Sequence, residues 1–378
     1  MTRAGSYINQ LEGFKAFIPA PLPPRPPIAL DGELVRMLSD ADHALGRLDG
    51  ITAILPNPDL FVAMYVRHEA VLSSQIEGTQ SSLDEVLLFE LDEKGAERPA
   101  DVEEVVNYVR AMNYGLKRLG TLPLSLRLIR EIHAELLRGV RGSQRTPGEF
   151  RRSQNWIGPA NVGLNKAAFV PPPVHEMHQT LGNLEKFLHD ESLPVLIQCG
   201  LAHAQFETIH PFLDGNGRIG RLLITFLLCH RKVLHQPLLY LSLYLKAHRA
   251  EYYDRLMAVR NDGNWEGWLK FFLRGVAEVS AEAAATAHKI IALRERHRQL
   301  IGEKIQRSAA ALRLLDAMFE RPVMNLGFVK DATHCSAPTA AALVARLEKL
   351  GLLREETGYK RNRRYRYEPY LLLFDQPA

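Results

Sequence analysis

The chain has 378 residues, 46% of them hydrophobic and 24% charged; it can hold two or three compact units, and nothing in this balance marks a disordered, collagenous or disulfide-stapled chain. Residues 301–378 carry 13 Lys/Arg against 9 Asp/Glu, an excess equal to the whole net charge of +4. That excess is compatible with a nucleic acid or an acidic partner for the C-terminal segment, and too small to establish either.

In chain order, the N-terminal stretch MTRAGSYINQLEGFKAF lacks the unbroken apolar core of a secretory signal. Residues 17–27, FIPAPLPPRPP, are too rich in proline for a helix and are expected as an extended strap. From Asp31 onward the pattern turns helical. Asn57 and Pro58 form a helix start, Phe61, Met64, Tyr65, Leu72 and Ile76 follow near helical spacing, and Gly78 is a C-terminal stop. Ser82-Leu-Asp-Glu85 is a capping-box pattern for the next helix.

Further helices are expected at about 101–118, 125–140, 174–190, 194–208, 217–232 and 246–260, then a long helix or helix pair from Trp265 to Lys304. Strand-like sequence is scarce. The exception is Gly148 to Pro173, where Asn155-Trp-Ile157 and Ala167-Ala-Phe-Val170 flank the turn-rich GPANVGLN and predict a hairpin. The apolar stretches Leu222–Cys229 and Pro237–Leu245 are too short to span a bilayer, so no membrane association is expected. Cys199, Cys229 and Cys335 are far apart without a C-x-x-C spacing, which fits reduced thiols in a cytoplasmic protein. Residues 308–370 read as three helices followed by a short hairpin from Leu352 to Tyr367 turning at Thr357-Gly358, resembling a winged helix-turn-helix.

The chemistry concentrates in His210-Pro-Phe-Leu-Asp-Gly-Asn-Gly-Arg-Ile-Gly-Arg221, which runs straight into the apolar helical LLITFLLC. A Gly-Asn-Gly turn before a helix aims several backbone N–H groups one way, and the helix N-terminus adds partial positive charge. Arg218 and Arg221, three residues apart, project from neighbouring positions and can converge on one polyanion. Asp214 is placed to hold a divalent cation beside phosphates, and His210 is a candidate base. Each residue alone reads as structure; together they spell phosphoryl or nucleotidyl transfer. The chain has no Gly-x-x-x-x-Gly-Lys-Ser/Thr loop and no kinase-like Gly-rich loop with a His-Arg-Asp segment.

This segment resembles the signature of the Fic family, His-x-Phe-x-Asp/Glu-Gly-Asn-Gly-Arg-x-x-Arg, at every specified position. The resemblance implies a mainly α fold: a Fic-type helical bundle with a β-hairpin flap, here followed by the winged helix-turn-helix-like unit. It implies that His210 deprotonates a Ser, Thr or Tyr hydroxyl of a target protein, which attacks the α-phosphate of ATP and expels pyrophosphate. By the same resemblance Asp214 positions Mg²⁺, Asn216 with the Gly215 and Gly217 backbone forms the anion hole, Arg218 and Arg221 hold the polyphosphate, and Phe212 is a buried anchor. Ala168, Phe169 and Val170 would be the flap that docks an extended target segment, and Tyr252-Tyr253 resembles the family's tyrosine pair near the adenine pocket.

Ser73-Ser-Gln-Ile-Glu77-Gly78 fits the family's inhibitory pattern, Ser/Thr-x-x-x-Glu-Gly/Asn. Ser73 and Glu77 share a helix face, and an inward Glu77 would pair with Arg221 where that arginine must meet the γ-phosphate. The resulting division is a regulatory N-terminal region over 1–98, a catalytic domain over 99–300 and the winged unit over 301–378, with room for a homodimer that buries the inhibitory helix. Rival readings are removal of AMP from a modified protein with Glu77 aligning water, transfer of another phosphate-containing group, and DNA-binding regulation through the basic run Lys360 to Arg366. The Doc-like kinase branch departs at the Gly-Asn-Gly stretch, which is intact here, so AMP transfer is preferred.

Overall fold

A computed structural model describes residues 2–52, 58–91, 99–158, 163–305, 309–359 and 361–374. The chain starts with a hairpin of β1 (Gly5–Asn9) and β2 (Lys15–Pro19), then runs through α1 (Gly32–Thr52), α2 (Pro58–Ile76), α3 (Leu83–Leu91), α4 (Ala100–Leu119), α5 (Leu126–Leu136), α6 (Val174–Leu188), α7 (Val195–Ile209) and α8 (Asn216–His230). It continues as α9 (Ser242–Ala247), α10 (Arg249–Asp262), the 40-residue α11 (Trp265–Lys304), α12 (Ala309–Glu320), β3 (Val323–Asn325), α13 (Leu326–Thr333), α14 (Ala337–Lys349), β4 (Arg354–Glu355), β5 (Arg364–Arg366) and α15 (Glu368–Leu371). The fold is mainly α, as the periodicity predicts.

Helices α7 and α8 form the centre. Every residue of α7 from Leu196 to Ile209 is buried, as is nearly all of α8, which is why both segments read as apolar without a polar face. Around them, α4 packs on α5 and α8, α6 and α11 pack on α7, and α1 lies along α11. One buried apolar cluster extends from Ala4 to Phe374. Helix α2 is held by α4, α9 and α12.

Local signals work as their chemistry requires. Ser82 and Glu85 cap each other reciprocally, Ser82 N donating to Glu85 Oε2 at 2.7 Å and Glu85 N to Ser82 Oγ at 3.2 Å. Ser336 caps α14 with proline in the first turn. Gly78, at φ +97°, ends the turn after α2 in a conformation a Cβ would penalise. The Asn57 start and the Phe61 side chain lie outside the described residues.

Three features differ from the sequence reading. The start of the strap is strand: Phe17 to Pro19 belong to β2, which pairs antiparallel with β1. Alternation there is hidden because Phe17 faces the core while Tyr7 and Ile8 stay exposed. Second, among the described residues the 148–173 hairpin is reduced to one antiparallel bridge, Ile157 with Phe169. Its pairing partner on the other side is β2, through Phe17 N to Val170 O at 2.9 Å. Third, the C-terminal unit gains a strand ahead of its second helix, β3, giving a three-stranded sheet in the order β3-β5-β4. Its two predicted strands shrink to two and three residues. Lys360 lies outside the described residues.

Candidate active site

Helix α7 ends at His210, which takes a left-handed conformation, φ 48°, ψ 59°. Such a conformation costs a non-glycine residue about 1–3 kcal/mol and persists only where neighbours over-determine it. They do here: the His210 carbonyl accepts from Arg151 Nε at 3.1 Å and from Asn155 Nδ2 at 3.2 Å. Arg151 is fully buried and also donates to the carbonyls of Ser153 and Pro172, while its own N–H reaches Pro211 O. One guanidinium thus ties the turn after His210 to both ends of the flap segment.

The loop that follows is closed on itself. Asn216 Oδ1 accepts from Phe212 N and Asn216 Nδ2 donates to Phe212 O, both at 2.8 Å. The side chain expected in an anion hole is therefore a clamp on the loop backbone. Phe212 is buried as expected and stacks on His133 of α5, ring centroids 3.7 Å apart. His133 Nδ1 accepts from Gly148 N at 2.8 Å, which leaves Nε2–H to donate to Asp214 O at 3.0 Å. Burial pushes this histidine down to about 4, so it stays neutral.

Gly215, at φ +77°, starts α8. Gly217 in the first turn admits a close approach: a Cβ there would lie 2.1 Å from Glu77 Oε1. The Glu77 carboxylate therefore rests against the backbone at the α8 N-terminus, the site where an anion is favoured. Its Oε1 accepts from Arg221 Nη2 at 2.7 Å. Arg221 also donates from Nε to Ser73 Oγ at 2.7 Å and from Nη2 to Ser73 O at 3.0 Å, so both ends of the Ser73–Glu77 pattern grip one guanidinium. Burial opposes the charge on Glu77, yet the Arg221 cation, with Arg218 and His210 behind it, holds the carboxyl below its usual range.

Arg218 does not converge on the same point. It pairs with Glu104 of α4 at 3.2 Å and with Asp214 at 3.3 Å, its side chain 2% exposed. Asp214 Oδ1 further accepts from Gly215 N at 2.6 Å. Its Oδ2 faces Gly142, where a Cβ would lie 2.8 Å away, and has no hydrogen-bond partner among the described residues. A carboxylate oxygen without a hydrogen-bond partner at a helix N-terminus is a ligand of the kind Mg²⁺ takes, which uses one or two carboxylates and fills the rest with phosphates and water. No cluster of three or more His, Cys, Asp or Glu suited to a metal occurs among the described residues.

His210 stands at the end of α7, before the loop that leads into α8. Burial and the Arg260 and Arg151 cations push its imidazole down to about 3, against the pull of Glu77. The ring is therefore neutral, and so low a value makes it a weak base while the site is in this state. Of the two tyrosines, Tyr252 is buried and its hydroxyl donates to His203 Nε2 at 2.8 Å, since His203 Nδ1–H is committed to Gly220 O at 2.9 Å. Tyr252 is thus part of the core beneath α8. Tyr253 is 40% exposed, with Arg249 over its ring at 5.7 Å. In the flap segment, Phe169 and Val170 are buried and Ala168 is exposed. Phe169 lies under Arg260, 3.9 Å from guanidinium to ring centre.

Sequence reasoning missed Arg151, Asn155, His133, Glu104, Glu207 and Arg260. Only Asn155 was singled out, and then as a strand residue. Their long-range partners are 37 to 114 residues away in sequence or are backbone atoms, so no local spacing announces them; Glu207, one turn before His210, is the exception.

Residues 35–117 match the Fic/DOC family N-terminal region and residues 123–228 match the Fic/DOC family domain. The protein adenylyltransferase Fic of Aedes aegypti is 33% identical over 152 residues, 39% of this chain and 27% of that protein. A probable protein adenylyltransferase of Aquifex aeolicus is 29% identical over 182 residues, 46% of this chain and 51% of that protein. The chain thus spans about half, or less, of the length of these curated relatives. In fold it is similar to a Fic family protein from Desulfovibrio desulfuricans, with a TM-score of 0.59 and 20% identity over 90% of this chain and 97% of that one. A Fic domain containing signaling protein from Bacteroides thetaiotaomicron gives a TM-score of 0.50 at 18% identity, over 68% of this chain and 96% of that one. The signature loop lies within the second matched segment and Glu77 within the first. By these two segments, the helical fold around them and the loop they contain, the chain belongs to the Fic/DOC family.

Proposed function

We propose that this chain transfers AMP from ATP to a Ser, Thr or Tyr hydroxyl of a protein, and that Glu77 holds it in a low-activity state. The observation that carries the reading is the Glu77 carboxylate resting in the α8 cradle on Arg221. A site that holds an anion so closely is built for anions, and this one is on a helix end that can leave. The names of the relatives, protein adenylyltransferases, support AMP as the transferred group.

In the reaction, neutral His210 takes the hydroxyl proton on Nε2 as the oxygen bonds to the α-phosphorus. The bond from that phosphorus to the bridging oxygen breaks, and its electron pair leaves with pyrophosphate. Arg221, freed of Glu77, neutralises the departing phosphates while Arg218 stays paired with Glu104 and Asp214, and the α8 N–H groups take an anionic oxygen. Asp214 would hold Mg²⁺, which supplies charge neutralisation to the polyphosphate when bound. Ala168 is the exposed flap residue available to a target backbone, because Phe169 and Val170 are paired to Ile157 and Phe17. The same reading assigns 1–98 to regulation, 99–300 to catalysis and 301–378 to a contact unit, within a cytoplasmic protein. Among the described residues, no helix is long and apolar enough to cross a membrane.

A second reading attaches to the C-terminal unit. A groove of about 920 Å³ is lined by Arg361, Arg363, Arg364 and Tyr359 of the wing and by Asn325 and Leu326. Guanidinium groups beside an exposed ring suit phosphate contact, whereas α14 offers mainly alanines to a base edge. A gel shift that weakens with salt would support DNA binding.

For the enzyme, the test is mass spectrometry of proteins incubated with ATP and either the wild type, Glu77→Gly or His210→Ala. Added AMP, strongest with Glu77→Gly and absent with His210→Ala, is expected. Loss of AMP from premodified protein, or addition of phosphate alone, would replace the proposal with one of its rivals.

A further inference from the structure

We propose that Glu207 is a positioning residue for His210: its carboxylate receives the Nδ1–H of the imidazole, leaving Nε2 as the proton acceptor. The inference rests on the reading of His210 as the base.

Glu207 sits one turn before His210 on α7, its side chain 8% exposed, with Oε2 3.9 Å from His210 Nδ1. That separation is beyond a hydrogen bond, but both sides are unfinished. His210 Nδ1 and Glu207 Oε1 are each buried without a hydrogen-bond partner among the described residues. Buried polar groups are nearly always paired; the oxygen nearer Nδ1 is Oε2, and a carboxylate with an unpaired oxygen beside an unpaired imidazole nitrogen is placed to bond it in another state of the site. About 1 Å of closure completes it.

Space for this carboxylate is provided deliberately by the sequence. Gly220 occupies one of the four unspecified positions of the signature, and a Cβ there would lie 2.5 Å from Glu207 Oε1. Any other residue at 220 would push the carboxylate from its place. The charged and titratable groups facing the pair are Arg260 of α10, Arg221 of α8, Arg151, Tyr252 and Glu77. While Glu77 is seated, it shares the cations with Glu207. On its departure Arg221 turns to phosphate, and Glu207 is the carboxylate left beside the imidazole.

The chemistry asks for such a group. A base that takes a proton on Nε2 becomes a cation, and an ionised carboxylate on Nδ1–H both fixes the tautomer and stabilises that cation. Glu207 stays ionised throughout and receives no proton. Burial pushes its carboxyl up to about 7, with Arg221 opposing, so the supporting form grows in across neutral pH. The competing acceptor for Nδ1–H is the Glu207 main-chain carbonyl, which already accepts from Arg260 Nη2 at 3.1 Å.

The test uses the full chain carrying Glu77→Gly, with incorporation from α-labelled ATP measured from about pH 5.5 to about pH 9. Glu207→Gln preserves shape and the main-chain carbonyl but not the charge. It is expected to lower kcat roughly tenfold or more, part of the ~10²–10⁴ that general-base catalysis supplies, to leave the KM for ATP unchanged, and to lose the rise in rate across neutrality. A residue that only packs would leave that rise in place, so an unchanged pH profile in Glu207→Gln overturns the proposal. If Glu207→Gln does not fold, Glu207→Asp replaces it: lowered kcat with the neutral rise retained is expected, and an unchanged kcat overturns the proposal. His210→Ala separates the two layers. Retained labelling there refutes His210 as base, whereas abolished labelling with an unaffected Glu207→Gln refutes only the role of Glu207.

Discussion

Replacing Glu77 releases Arg221, and the size of the release can be worked from the geometry. The contact is one charge-assisted hydrogen bond at 2.7 Å between a guanidinium 2% exposed and a carboxylate 33% exposed. A hydrogen bond to a charged group contributes about 1.5–3 kcal/mol net. A third of the Glu77 side chain faces water, and solvent screening lowers the ion-pair part, so the lower half of that range applies. At about 1.4 kcal/mol per factor of ten, 1.5–2 kcal/mol is roughly a 10- to 30-fold gain in the fraction of sites open to productive ATP. Glu77→Gly should raise the initial rate of label transfer from α-labelled ATP by about that factor at low ATP. Glu77→Gln, which keeps the volume against Gly217 and loses the charge, should fall between wild type and Glu77→Gly. Equal rates for all three proteins would refute the reasoning, because the brake would then cost ATP nothing.

Three further outcomes follow from the same contacts. Asn216→Ala strips both side-chain bonds from the Phe212 backbone; Phe212 O keeps Asn155 Nδ2 at 2.8 Å, so one buried N–H is left unpaired and the fold should lose about 1–3 kcal/mol; thermal unfolding measures it, and an unchanged Tm contradicts the clamp. Glu104→Gln leaves the buried Arg218 charge with the partly exposed Asp214 as its remaining paired acid, so thermal unfolding should show a loss of about 3 kcal/mol, and an unchanged Tm contradicts it. Stability should also rise with pH from about 4.5 to 6.5. Burial pushes His68, His133, His203 and His297 down to about 4 and His210 to about 3, so the unfolded chain binds protons there that the folded chain refuses. Glu69 and Glu207, pushed up to about 7 by burial, act in the opposite sense, but they are fewer. Each net proton is worth about 1.4 kcal/mol per pH unit, and a Tm that falls across this window would count against the buried neutral histidines.

Legibility in the sequence tracks the range of the interaction. Helix periodicity, the Ser82 and Ser336 caps, the Gly78 stop and the loop from His210 to Arg221 are short-range, and each lies where its residues predict. β1 and β2 escaped because a five-residue strand ending in Pro19 resembles a proline-rich strap until its partner is known. The role expected of Asn216 came from the family pattern alone, and its two bonds to Phe212 become visible only when the loop is closed. Glu104 has no spacing that would announce it, since its partner Arg218 is 114 residues away. Arg260 reads as one charge on an ordinary amphipathic helix, though it joins Thr208, Glu207 and the flap's Phe169.

The two signature arginines show how the pair proposed as a brake differs from the pair that is fixed. Arg218 and Arg221 leave the same turn of α8, and each meets a glutamate from an earlier helix. Glu104 lies inside the first half of α4, 1% exposed, and also pairs with Arg141; moving it would drag a 20-residue helix out of the core. Glu77 lies past the last residue of α2, is 33% exposed, and is followed by Gly78 at φ +97°. Its backbone is already turning away from the helix, so the carboxylate can leave by rotating its own side chain while Ser73 keeps Arg221 in place through Nε and Nη2. Regulation by displacement needs one pair that opens cheaply beside one that does not open. The difference between them is set by where each glutamate sits on its helix, mid-helix or past the end.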